Sequence, residues 1–235
     1  MSSCRATNAN RVDLRHRDAR EARYLQIVGA YKPAEVARFP EALGALALAL
    51  EQEPADVLGS VFMELELGNR WKGQFFTPFH LCRAMAALQM GDGVAGEIAA
   101  KGYVTANDPC VGGGAMPLAF AAELRAAGLD PARHLHVTAQ DVDSTAVHMA
   151  YVQLSLMGVP AVVILGNSLT LEAREHWYTP AHVLGGWSQR LRGLTPISDV
   201  IAAIASAAAS GEPANAAPPA AGQLAMPWGA PVRAA

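Results

Sequence analysis

The run Asn107-Asp108-Pro109-Cys110-Val111-Gly112-Gly113-Gly114 holds the residue types best suited to gripping a ligand. Tyr103, Val104 and Thr105 lead into it, the acid–proline pair stops the strand, and a helical run from Met116 to Ala127 follows. A strand, a glycine turn and a helix N-terminus let backbone N–H groups approach a phosphate or a nucleoside closely, because no Cβ intervenes. A second acid, Asp141, ends the strand-like run His134 to Asp141. In α/β nucleoside-binding folds an acid at that place takes the two ribose hydroxyls, since one carboxylate accepts both O–H groups. Its other reading is a helix N-terminal acid favoured by the dipole. Upstream, Phe75 and Phe76 precede Thr77-Pro78, a good N-cap and N1 pair. Two aromatics beside a helix N-terminus either hold a small anion or simply precede a well-capped helix.

The elements that must position these residues follow from periodicity. After the glycine turn come a helix closed by Gly128, the strand to Asp141, and a helix from Ser144 to Gly158 with Val147, Met149, Val152, Leu154 and Leu156 inward. A third strand follows from Ala161 to Leu169. This β-α-β-α-β order predicts an α/β fold with a parallel sheet and right-handed crossovers. His148 reads as a core-edge or solvated histidine, and Trp177, Tyr178 and Trp187 as packing residues. After Leu169 the alternation stops, and no fourth strand is expected. Thr179-Pro180 caps a short helix.

Before the turn, 33–70 reads as a helical cap of two helices, with Leu43, Leu46, Leu50 and then Val57, Val61, Leu65 at helical spacing. Its charges from Glu41 to Glu66 are all acidic, which argues against a DNA contact there. In 1–32, Arg5, Arg11, Arg15, Arg17, Arg20, Arg23 and Lys32 outnumber Asp13, Asp18 and Glu21. That segment reads as a flexible basic arm, either merely solvated or touching phosphates. The body of the fold is expected over 71–200, and an Ala/Pro-rich disordered tail over 201–235.

A net charge of −3 over 235 residues excludes a protein coated in basic surface. Cys4, Cys82 and Cys110 are too few and too scattered for a disulfide framework or a zinc site, so a reducing, cytoplasmic setting is expected. There is no apolar leader and no apolar run long enough for a span, so neither export nor a membrane is expected.

Taken together, the residues from about Asp56 to Leu169 resemble the gamma-type adenine-specific DNA N6-methyltransferases, the family of the type I restriction modification subunit. Gly73-Gln74-Phe75-Phe76-Thr77-Pro78 is similar to that family's first cofactor motif, and Asp108-Pro109-Cys110-Val111-Gly112-Gly113-Gly114 to its Asp-Pro-x-x-Gly-x-Gly motif. Gln140-Asp141-Val142-Asp143 resembles its ribose-binding acidic motif, and Gly166-Asn167-Ser168-Leu169 its adenine-contacting motif. The resemblance implies a truncated Rossmann-like methyltransferase fold with an N-terminal helical cap, and S-adenosylmethionine as cofactor. It implies Phe76 and Thr77 at the methionine carboxylate, Asp108 at the ammonium, and Pro109, Gly112 and Gly114 passing close beneath the cofactor. It further implies Asp141 on the ribose, Val142 against the adenine, and Asn167 accepting from its exocyclic amine. DNA is the implied partner. The family's Asn/Asp-Pro-Pro-Tyr/Phe motif, which holds a flipped adenine, has no counterpart here: the only Pro-Pro is Pro218-Pro219, flanked by alanines. No catalytic residue is therefore assigned. Two functions follow: methylation of adenine together with a protein that supplies target recognition or the missing strands, or a catalytically inactive regulator or decoy of a restriction-modification system.

Overall fold

Prolines, capping acids and glycines cut the first hundred residues into short helices. The computed structural model describes residues 17–65 and 76–194, all within one unit ending at Pro196. The helices α1 (Arg17–Gly29), α2 (Pro33–Val36), α3 (Arg38–Gln52) and α4 (Val57–Glu64) come first. Pro33 opens α2, and Asp56 caps α4 by accepting the Gly59 N–H at 2.8 Å. Next are α5 (Phe79–Gln89) and α6 (Asp92–Lys101), the latter ended by Gly102 in the left-handed region at φ 82°.

The α/β body follows: β1 (Val104–Asp108), α7 (Ala115–Ala126), α8 (Pro131–His134), β2 (Leu135–Asp141), α9 (Ser144–Leu156), β3 (Ala161–Asn167) and β4 (Glu172–Tyr178). Two short helices close it, α10 (Pro180–Leu184) and α11 (Trp187–Arg190). The 4-stranded sheet runs in the order β1-β2-β3-β4. β1, β2 and β3 are parallel, with Val104 opposite Leu135 and Val137 opposite Ala161. This mixed α/β sheet is compatible with a Rossmann-like fold.

The core lies where α7 and α9 meet the sheet. Leu118, Leu124, Leu135, Val137, Val147, Leu154 and Val163 are completely buried there. Each fully buried residue of this size contributes about 1.5–3 kcal/mol. Ala86, Ala119 and Ala121, also completely buried, add little area but let α5 lie close on α7. Leu46 and Leu50 carry α3 into the same core, whereas Val61 and Leu65 of the expected apolar stripe are exposed.

Two expectations need correction. A fourth strand does exist: β4 pairs antiparallel with β3, with Tyr178 opposite Val162. It escaped the sequence because Glu172-Ala-Arg-Glu-His-Trp-Tyr is charged and mostly exposed, the composition of an edge strand. Its hairpin depends on Gly166, where a Cβ would strike the Glu172 carbonyl, and on Leu171 at φ 59°. The second correction concerns the basic arm. Residues 17–29 of it are helix α1, held to β4 by Arg20, which donates to the His176 carbonyl at 2.9 Å and stacks over Trp177. Residues 1–16 and 195–235 lie outside the described residues. None of the described helices is long and apolar enough to cross a membrane.

Beneath α10 and α11 lies a buried polar chain. His136 of β2 and His182 share a hydrogen bond of 2.9 Å, and His182 reaches Ser188 Oγ at 2.9 Å, under the fully buried Trp187. Burial, then the neighbouring His182 and Arg190, pushes His136 down to about 3, and burial pushes His182 down to about 4, against an ordinary 6.5. Both rings are thus neutral when folded and protonate more readily when unfolded. Their contribution is complete above about pH 6.5 and is lost as pH falls toward 4 and below.

The urea midpoint should fall steeply as pH drops from about 6.5 to about 4, while NMR shows both buried rings still untitrated at about pH 5. Gly166→Ala should lose more than about 2 kcal/mol in urea unfolding, through the collision with the Glu172 backbone. Gly96→Ala, on an open helix face, should gain up to about 1 kcal/mol.

Candidate ligand-binding site

The glycine turn is built from its own hydrogen bonds before it meets any ligand. Asp108 Oδ1 accepts the Cys110 N–H at 3.1 Å, which bends the chain out of β1. The Val111 N–H goes to the Gln140 carbonyl at 2.9 Å, and the Gly112 N–H to Asp141 Oδ2 at 2.9 Å. The turn is therefore strapped to the end of β2. Gly112 and Gly114 sit at φ 54° and 102°, where residues with a Cβ are strained. A Cβ on Gly112 would come to 3.0 Å from the Phe76 ring, and one on Gly113 to 2.8 Å from the Asp56 carboxylate. A Cβ on Gly114 would press the α9 backbone at Ala150, at 3.3 Å.

Behind the turn stands a completely buried amide. Gln153 Nε2 donates to the Gly113 carbonyl and to Asp56 Oδ1, both at 2.8 Å, and its Oε1 accepts the Leu58 N–H at 3.0 Å. One side chain of α9 thereby joins the turn to α4. Phe76 is held in place by stacking on Phe62, with ring centroids 5.3 Å apart.

The result is a small cavity of about 120 Å³ walled by Asp56, Phe76, Thr77, Cys82, Asp108, Cys110, Val111, Gly112, Gly113, Ala115 and Met116. No lysine or arginine is among these residues. Burial raises the Asp108 carboxyl above its ordinary range; the Cys110 N–H opposes this and the Asp141 charge adds to it. Burial, with Asp56 and Asp108 close by, also raises the Cys82 thiol, which stays protonated. Carboxylates without a cation repel a phosphate, and the Gly112 and Gly114 N–H groups are already spent on Asp141 and Val111. Of the two ligands that such a turn suits, the phosphate is disfavoured. What the walls attract is a positive charge.

Of the residues expected at the site, Phe76, Thr77, Asp108 and Gly112 line the cavity. Pro109 is exposed beside it, and Gly114 faces α9. Asp141, Val142 and Asn167 are not among its walls. Besides the Gly112 N–H, Asp141 holds the Asp143 N–H on Oδ1 at 3.0 Å, so each oxygen accepts one of these bonds and has capacity for another. The N-cap of α9 is Asp143, whose carboxylate takes the Thr145 and Ala146 N–H groups. Val142 is 59% exposed. The Asn167 oxygen expected to face an amine instead accepts from Leu169 and Thr170 in its own turn, at 2.9 and 3.4 Å. Thr77 is not the N-cap of α5: Pro78 occupies that place, with no side-chain cap, and the Thr77 carbonyl accepts from the Cys82 thiol at 3.8 Å. Gly73, Gln74 and Phe75 lie outside the described residues.

Asp56 and Gln153 were missed as site residues. The signal for Asp56 was an acid three residues before Gly59 at a helix start; for Gln153, a lone amide inside the apolar run Tyr151 to Leu154. No protein-family model, no curated protein and no solved structure matches the chain.

Gln153→Glu would set a second carboxylate against Asp56 and against the Gly113 carbonyl. It should lower stability by on the order of 3 kcal/mol at pH 7 in urea unfolding, whereas a solvated glutamine tolerates the same change within about 0.5 kcal/mol.

Proposed function

We propose that the pocket at the glycine turn binds S-adenosylmethionine, and that the chain is a methyltransferase-like protein related to the DNA adenine N6-methyltransferases. The charge of the pocket carries this reading: the buried Asp56 and half-buried Asp108 over a glycine floor, with no cation on its walls among the described residues. A ligand bearing an ammonium and a sulfonium suits such walls, and a phosphorylated nucleoside does not. The volume fits the amino-acid end of the cofactor. Asp108 would hold the ammonium, and Thr77 with the start of α5 the carboxylate. Phe76, Pro109, Gly112 and Gly114 would shape the approach. The half-buried Asp141 and Asn167 and the exposed Val142 would take the nucleoside, Asp141 through its remaining lone pairs. Asn167 would present its amide nitrogen, unless its turn opens.

When bound, this cofactor supplies an electrophilic methyl group, and the residues named here bind and orient. The acceptor on this reading is adenine in DNA. The sequence offers no motif to hold a flipped base, so transfer requires a partner chain that supplies one, together with target recognition. That same absence favours a second reading, a catalytically inactive regulator or decoy of a restriction-modification system.

Calorimetry with S-adenosylmethionine tests the premise. The wild type should bind, and Asp108→Asn and Asp141→Asn should each weaken binding about tenfold or more, equivalent to about 1.4 kcal/mol. Affinity should also fall in acid as Asp108 protonates. No heat with the wild type, or undiminished binding by both variants, sinks the cofactor assignment. Labelled-methyl transfer to adenine-containing DNA, with and without cell lysate, separates the two readings. Incorporation only with lysate supports the partnered enzyme, and none in either supports the regulator.

A further inference from the structure

A second and larger cavity shares no lining residue with the one at the glycine turn. It measures about 410 Å³ and opens between α1 and β4, with His148 of α9 in its wall. Tyr24, Ile27 and Trp177 give it apolar surface, and Arg20, Arg23 and Arg174 bring cationic groups to it. Glu175 is the one acid among its lining residues. A cavity of this size falls within the range of about 300–1,000 Å³ that small-molecule sites occupy.

We propose that this cavity binds a small organic anion: a planar apolar body carrying a sulfonate, carboxylate or phosphate. Three observations carry the assignment. First, α1 contributes no buried residue, so among the described residues the space beneath it is left unfilled by side chains. Close packing elsewhere in a fold leaves few such voids. Second, the arginines on its rim are weakly committed. Arg23 stands 3.9 Å from Glu175, and Arg174 stands 3.7 Å from Glu172, with all four side chains more than a third exposed. Ion pairs of this kind are worth about 0–1 kcal/mol and exchange readily for a ligand anion. Arg20, stacked over Trp177 and bonded to His176, supplies a fixed cationic wall. Third, the His148 imidazole in the wall is lowered chiefly by burial, with Arg23 and Arg20 lowering it further and Glu175 and Asp143 opposing them. These two cavities thus differ in their charged groups, one acid-walled and one arginine-rimmed.

Naphthalene-1-sulfonate is a suitable probe, followed by calorimetry and by the His148 ring signal in NMR. It should bind the full chain at least tenfold more tightly than inorganic sulfate or naphthalene alone, and should raise the pH at which His148 titrates. The double variant Arg23→Glu/Arg174→Glu should lose at least tenfold in affinity. Ile27→Trp, which fills the cavity without altering charge, should lose as much, and so guards against misfolding of the first variant. Adenosine monophosphate and naphthalene-1-carboxylate, compared in the Asp141→Asn background, distinguish a nucleotide from an aromatic acid as the natural class. Probe affinity should not change in that background, so failure here and failure at the glycine turn are told apart. Equal affinity for sulfonate, sulfate and naphthalene overturns the proposal, as does undiminished binding by both cavity variants. Binding of a single-stranded oligonucleotide with none of the naphthalene-1-sulfonate also overturns it, in favour of a nucleic-acid surface.

Discussion

The side-chain amide of Gln153 is the contact on which the site depends. It is completely buried, and it makes three hydrogen bonds at once: to Asp56, to the Gly113 carbonyl and from the Leu58 N–H. A buried amide left without partners costs about 1–3 kcal/mol for each group, so these three partners are held as a set. Asp56 in turn caps α4 and presses against Gly113. Rotating either side chain would loosen α4 and the glycine turn together. The turn's conformation is thereby set from behind, by α9 and α4, while its front is set by the Asp141 strap on the Gly112 N–H.

That arrangement has an electrostatic consequence. Among the described residues the turn is strapped by carboxylates, the Gln153 amide and the Gln140 backbone carbonyl, and by no lysine or arginine. Asp56 and Asp108 therefore face one small space, with Asp141 just behind the turn, and burial already lifts Asp108 out of its ordinary range. Arginines appear instead along α1 and β4. Arg174 marks the border between the two regions, donating to the Val142 carbonyl at 3.4 Å, one residue beyond Asp141. Segregation of this kind leaves each cavity with the sign of ligand it can accept.

Much of the parallel body was legible because its residues obey period rules that water enforces. The Tyr103 to Asp108 strand, the second and third strands, and the helices between them bury one face and follow the expected pattern. Gly112 and Gly114 were readable because only glycine sits comfortably at positive φ in so tight a turn. What escaped had a physical cause in each case. β4 lies at an edge, so its side chains are charged and its period is faint. α1 is anchored through guanidinium stacking and a carbonyl contact, which basic composition alone does not distinguish from a solvated arm. Asp56 and Gln153 are polar residues on helices, and a single sequence gives such residues to solvent by default. Thr77 met the rule for an N-cap, yet α5 begins one residue later, since the chain reaches Pro78 in an extended conformation and turns helical only at Phe79.

Where the sheet ends matters as much as where it begins. On the β3 side it is closed by β4, whose Glu172, Arg174 and Glu175 blunt that edge against further pairing. On the other side, among the described residues, β1 has a neighbour on one flank only. Thr105 and Asn107 are exposed there, and Asp108 and the glycine turn stand at the end of that same strand. Among the described residues, β1 is thus both the edge strand of the sheet and the root of the glycine turn, with α6 packed beside it. The turn at the end of that edge strand is held in place by Gln153 and the α9 backbone, which contact Gly113 and Gly114, and by Asp141 on the Gly112 N–H.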